Sequence, residues 1–177
     1  MARLRGSLIV RYGFWLIAAL VVGLDQGAKA WVLARLPLRG PSVILIPGAL
    51  SLTHVRNTGV AFGQLHGAGP VLILLAAAAV AGILVYRARR LRSAAGLHPL
   101  LALGLALPLG GALGNVIDRV RFGEVVDFID FGWFPVFNVA DSAITVGAVA
   151  LVWYFLFVSR PEAAADGGIP SAASFHE

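Results

Sequence analysis

The sequence predicts an all-α integral membrane protein: four transmembrane helices with a small extracytoplasmic β-sheet. Three observations carry this. Of the 177 residues, 59% are hydrophobic and 13% charged, with a mean hydropathy of +0.85; a soluble domain is roughly 45–50% apolar and about 25% charged. Four stretches approach the roughly 20 apolar residues that cross a bilayer. The net charge of +5 sits on arginines flanking those stretches, which is a topology signal and gives no reason to invoke nucleic acid. The chain has no Cys, which excludes disulfides, thiol nucleophiles and thiolate metal sites.

The first stretch, residues 12–34, is "YGFWLIAALVVGLDQGAKAWVLA" and holds Asp25 and Lys29. Arg3, Arg5 and Arg11 before it and Ala28-Lys29-Ala30 within it imitate a cleavable secretory signal. A basic residue inside the supposed cleavage site and three further spans favour a retained helix. Asp25 and Lys29 lie four apart, share one helical face and are expected to neutralise each other. An outer loop follows. Residues 43–55, "VILIPGALSLTHV", are β-branched and turn at Pro47-Gly48, which reads as a hairpin. "RNTGVAFGQL" then places Asn57 as a turn residue or a hydrogen-bonding group for a peptide.

The second span is 67–86, with no charge. The third is 93–117, whose one ionisable group is His98. It runs on into "GGALGNVIDRV", where Gly110 and Gly114 permit close helix approach. Asn115 and Asp118 fall on one face, and Arg119 is placed to neutralise Asp118 or hold a backbone carbonyl. The fourth span is 140–159. Together the spans make one membrane domain over 1–160; the small, polar tail 161–177 reads as disordered and cytoplasmic. Arg3, Arg5, Arg11, Arg87, Arg89, Arg90, Arg92 and Arg160 put the termini and the 87–92 loop in the cytoplasm, and the loops near 35–66 and 118–140 outside. No internal repeat is evident.

The unusual residues are the acids of "VVDFIDFGWFPVFNVAD": Asp127, Asp130 and Asp141 among Val, Phe, Trp and Ile. An ionisable group at membrane depth costs on the order of 2.5–3.5 kcal/mol and is a functional candidate by default. Asp141 has an ordinary use as a first-turn acid of the fourth helix. Asp130, beside Gly132, has water to face. Asp127, between Val126 and Phe128, has no such use. Two carboxyls brought together at low dielectric share a proton, so one serves as base and the other as acid. That is aspartic-protease chemistry. A proton-coupled transporter and a non-catalytic assembly factor remain alternatives on pattern alone. HExxH, GxSxG and GxxxxGK[ST] are missing, and His54, His66, His98 and His176 lack metal-like spacing.

Five motifs in order, "DQGAK", "NTGVAF", "GGALGNVIDR", "GEVVDF" and "FNVAD", resemble those of the bacterial lipoprotein signal peptidases (signal peptidase II), across about residues 12–158. The resemblance implies a four-helix membrane protease of the bacterial inner membrane, active at its outer face. Its substrate would be a prolipoprotein whose Cys carries diacylglycerol, cut on the amino side of that Cys. It implies Asp127 and Asp141 as the catalytic pair, supported by Asp25, Lys29, Asn57, Asn115, Asp118, Arg119 and Asn138. Gly59, Ala61, Phe62, Gly114 and Ala140 match shape-determining positions; Val60 replaces a frequent Ala. Phe62, Trp133 and Phe134 are expected to cover the site. No metal, cofactor or nucleic acid is implied. Membrane phospholipid is a partner, and the protein is expected to be monomeric.

Overall fold

The computed structural model describes residues 2–59, 69–93 and 96–159, with side-chain surroundings from residue 10 onward. Val60, Ala61, Phe62 and the tail 161–177 lie outside the described residues, as do the side chains of Arg3 and Arg5. The elements run α1 (Ala2–Arg35), β1 (Val43–Ile46), β2 (Leu50–Asn57), α2 (Gly69–Arg92), α3 (Pro99–Phe122), β3 (Val125–Asp130) and α4 (Val139–Trp153). A π-helical turn, Tyr154–Val158, ends the last helix. Four helices are long and apolar enough to cross a membrane: Val10–Arg35, Gly69–Arg92, Pro99–Phe122 and Val139–Val158.

The third helix starts later and ends later than the hydropathy of 93–117 suggested. The cause is local. His98 caps it by accepting the Leu100 N–H, and Pro99 occupies its first turn, where a missing N–H costs nothing. It runs past the apolar stretch to Phe122 and stops at Gly123, whose φ of 78° suits glycine. The second helix likewise runs beyond residue 86, carrying Arg87, Arg89, Arg90 and Arg92 in its last turns. Long basic side chains can reach the interface from such positions.

α3 is the central helix, packed against α1, α2 and α4. Glycines set the spacing. A Cβ at Gly110 would meet the Ala18 carbonyl of α1 at 2.7 Å, and one at Gly111 would run into the Ala140 carbonyl of α4. The small-residue reading of Gly110 and Gly114 therefore describes packing, and Gly111 belongs with them. Phe14, Ala18, Leu101, Leu105, Ala106, Leu109 and Tyr154 form the core of the bundle.

The hairpin expected over 43–55 is present as β1 and β2, turning at Pro47-Gly48. A third strand, β3, pairs antiparallel with β2, giving the order β1-β2-β3. Its register sets Val55 opposite Asp127 and Asn57 opposite Val125. Val126 and Phe128 are buried with Val32 and Leu36, so the sheet is rooted on the end of α1. That contact fixes the height of Asp127.

Candidate active site

Four elements carry the polar groups to one place: the ends of α1, α3 and β2, and the passage from β3 into α4. Asn138 is the N-cap of α4. Its side-chain oxygen accepts the Asp141 N–H at 2.9 Å while its own backbone N–H donates to Asp141 Oδ2 at 3.3 Å, a reciprocal capping box. Asp141 is thus the first-turn acid that its position suggested, but the cap leaves its Oδ1 free for another partner. Asn115 Nδ2 donates to that oxygen at 2.8 Å.

The Asn138 amide nitrogen donates to Asp127 Oδ1 at 2.7 Å. One residue therefore touches both acids, through its backbone on one side and its side chain on the other. The second oxygen of Asp127 accepts from Asn57 Nδ2 at 2.8 Å. Asn57 in turn accepts the Gly59 N–H at 2.7 Å, a tight turn in which Gly59 has φ 82°. A side chain at Gly59 would also collide with Leu72 and approach Arg119. Asp127 is 1% exposed. Its carboxyl stands raised from 3.8 to about 6, the balance of burial, which raises it most, the Asn57 hydrogen bond, which lowers it, and the charge of Asp141, which raises it.

Beneath the two acids lies a second cluster. Lys29 Nζ contacts Asp25 Oδ2 at 2.8 Å, Asp118 Oδ2 at 2.9 Å and Asn115 Oδ1 at 3.0 Å. The Asp25–Lys29 pairing follows from their spacing; the second carboxylate does not. Lys29 is the residue that neutralises Asp118. Of the two uses the sequence offered for Arg119, the structure shows the second: it donates to a backbone carbonyl, that of Asn115, at a long 3.5 Å. Each acid of the cluster also holds a distant backbone amide: Asp25 that of Ala140 and Asp118 that of Val126, both at 3.0 Å. Ala140 precedes Asp141 and Val126 precedes Asp127, so the cluster ties down both chain segments that present the upper acids. Gly114 lies so close to Asp25 that a Cβ there would meet Asp25 Oδ2 at 2.6 Å.

Sequence reasoning missed Gln26. Its amide bridges Asp25 at 3.1 Å, Asp118 at 2.9 Å and the Gly114 carbonyl at 3.2 Å. The signal was its place between Asp25 and Lys29, one step off the predicted face. Asp130 stays out of the site, as its place beside Gly132 suggested, and accepts the Gly132 N–H at 2.7 Å in a local turn. One expectation fails. Trp133 and Phe134 are exposed, Trp133 by 82%, and pack on Phe131 and Phe137 as an aromatic cluster. The covering role expected of them is not seen. Among the described residues no group of His, Asp and Glu is arranged to hold a metal.

The profile of the family described as "Signal peptidase (SPase) II" matches residues 17–157. The chain belongs to the signal peptidase II family. Among curated relatives, the lipoprotein signal peptidase of Syntrophomonas wolfei is 45% identical over 150 residues, covering 84% of this chain and 96% of that protein. The one from Symbiobacterium thermophilum is 45% identical over 148 residues, covering 81% and 94%. A solved bacterial membrane enzyme superposes with a TM-score of 0.74 at 33% identity, covering 83% of this chain and 94% of that one. The chain thus shares its peptidase family with the curated relatives and its fold with that membrane enzyme, and every described site residue named above falls inside the matched region.

Proposed function

We propose that this signal peptidase II is an aspartic endopeptidase that removes the signal peptide from diacylglyceryl-modified prolipoproteins, cutting on the amino side of the lipid-bearing Cys. The observation that carries the reading is the pair Asp127 and Asp141, joined through Asn138. Burial and the neighbouring charge make Asp127 the carboxyl that holds a proton into the mildly acidic range, at about 6. Seating an apolar signal helix and its acyl chains over it removes more water and pushes the same way. Asp141 then draws a proton from water held between the acids as the water attacks the scissile carbonyl. Asp127 donates its proton to the carbonyl oxygen, and return of a proton to the departing amine completes the cleavage. Asn57, Asn115 and Asn138 fix the orientation of both carboxyls, and the ion cluster around Lys29 holds the strand and helix that bear them.

Location follows the same logic. All described acids lie near the same end of the bundle or on the sheet beside it, whereas Arg11, Arg87, Arg89, Arg90 and Arg92 sit at the other end. We place the arginine end in the cytoplasm and the acids at the outer face of the inner membrane, with surrounding phospholipid against the exposed spans and one chain sufficient for the site. The test is processing of a synthetic lipidated precursor by purified protein. Asp127→Asn and Asp141→Asn each abolish cleavage while the protein inserts normally, and EDTA leaves the rate unchanged. Wild-type rates in either variant overturn the assignment.

A further inference from the structure

A recess of about 560 Å3 opens directly from Asp127 and Asn57, within the range of roughly 300–1,000 Å3 typical of ligand pockets. Its lining also includes Arg39, Arg56, Glu124 and Val136. These residues belong to the 36–42 connection, β2 and the segments flanking β3, all outside the four spans.

The charges in this recess are unspent. Ion pairs among the described residues are confined to Lys29 with Asp25 and Asp118, so Arg39, Arg56 and Glu124 have no described counter-ion. Their backbones are nonetheless held. Arg39 has φ 52°, which a non-glycine residue seldom adopts, and its N–H donates to the His54 carbonyl of β2 at 2.9 Å. The Arg56 guanidinium lies 4.7 Å from the centre of the Phe122 ring, which limits where it can point.

A substrate cut at the membrane surface has two halves of opposite character. The signal helix is apolar and stays with the spans. The chain beyond the lipid-bearing Cys leaves the membrane, and the charged recess lies on that side of Asp127. We propose that this recess receives the residues immediately following the lipid-bearing Cys, and that Arg39 and Arg56 make it favour an acidic side chain there over a basic one, with Glu124 opposing them. The proposal rests on the endopeptidase reading above.

The test uses lipidated peptides that carry Glu, Gln or Lys at one of the three positions after the Cys. In the full-length enzyme at low salt, kcat/KM is expected to fall in the order Glu, Gln, Lys, by about fivefold per step, and to converge as salt screens the contact. Arg39→Gln with Arg56→Gln, which leaves Glu124 as the charge of the recess, reverses the order, and Glu124→Gln alone spreads the values further. Equal values in the wild-type protein, or an order that survives the double arginine substitution, overturn the proposal. Failure to cut even the Gln peptide would instead count against the endopeptidase reading. Equilibrium binding of the same three peptides to the Asp127→Asn protein then decides the charge preference, with equal affinities overturning it.

Discussion

Replacing Lys29 by Met should be among the most destabilising single changes in the bundle. The Lys29 ammonium has three hydrogens and spends all of them, at 2.8, 2.9 and 3.0 Å, on Asp25, Asp118 and Asn115. Asp25 and Asp118 are 0% and 1% exposed, so water cannot replace the lost charge. Methionine fills much of the volume but leaves two carboxylates facing each other across Gln26. Breaking a buried ion pair by removing one partner costs about 3–5 kcal/mol. For a chain of this size that corresponds to a fall in Tm of roughly 6–20 °C. Tryptophan fluorescence melts in detergent micelles would read it. A triple variant, Lys29→Met with Asp25→Asn and Asp118→Asn, should melt above the single one, because the uncompensated charge is gone. A single variant within about 2 °C of the parent, or a triple variant less stable than the single, would refute the account. Loss of the Lys29 contact also frees Asn115, which orients Asp141, so processing should fall with stability.

Gly111→Val drives side-chain atoms into the first two turns of α4, at Ala140 and Ile144; overpacking of this kind costs about 1–3 kcal/mol. It should displace Asp141 and cut processing strongly, whereas Gly27→Ala, with nothing within 4 Å of the added carbon, should process like the parent; equal activity of the two variants would contradict this. Asp127 gives a pH signature in the same melts. Its folded-state value of about 6 exceeds the ordinary 3.8, so the folded protein binds the extra proton between those values and loses stability as pH rises through them, by up to about 3 kcal/mol. Below about pH 4 the penalty vanishes, above about 6 it is constant, and Asp127→Asn should remove that slope; an unchanged slope in the variant would count against the burial of this carboxyl. Asn138→Ala removes the side-chain cap of α4 and the link to Asp127, leaving only its backbone N–H on Asp141, and should lower stability by about 1 kcal/mol while reducing processing far more than that loss implies; parallel losses would make Asn138 a cap and nothing else.

Much of this protein was legible in one dimension, because the bilayer imposes a strong local rule. A helix that must satisfy its own backbone in hydrocarbon needs a long apolar run, and such runs are visible as residue types. The membrane class, the span count, the hairpin and the Asp25–Lys29 pair are all short-range statements of that kind. Asp127 also stood out locally, as an acid with no ordinary reason to sit between Val126 and Phe128. The third helix was misplaced by several residues because hydropathy measures apolarity, whereas its ends are decided by His98, Pro99 and Gly123.

What tertiary structure alone decided is which groups meet. Gln26 spans α1 to α3, Lys29 serves Asp118 from another helix, and Asn138 joins two acids that its own sequence neighbourhood does not bring together. β3 became a strand through pairing with β2 and burial against Val32 and Leu36, and Trp133 and Phe134 turned outward. These outcomes depend on the separation and rotation of packed helices, set by contacts such as Gly110 on Ala18 and Gly111 on Ala140. Hydrogen bonds and ion pairs act over about 3 Å, while the partners here are up to 115 residues apart in the chain. Residue types give the inventory of donors and charges; only the packed bundle sets the distances that make them a site.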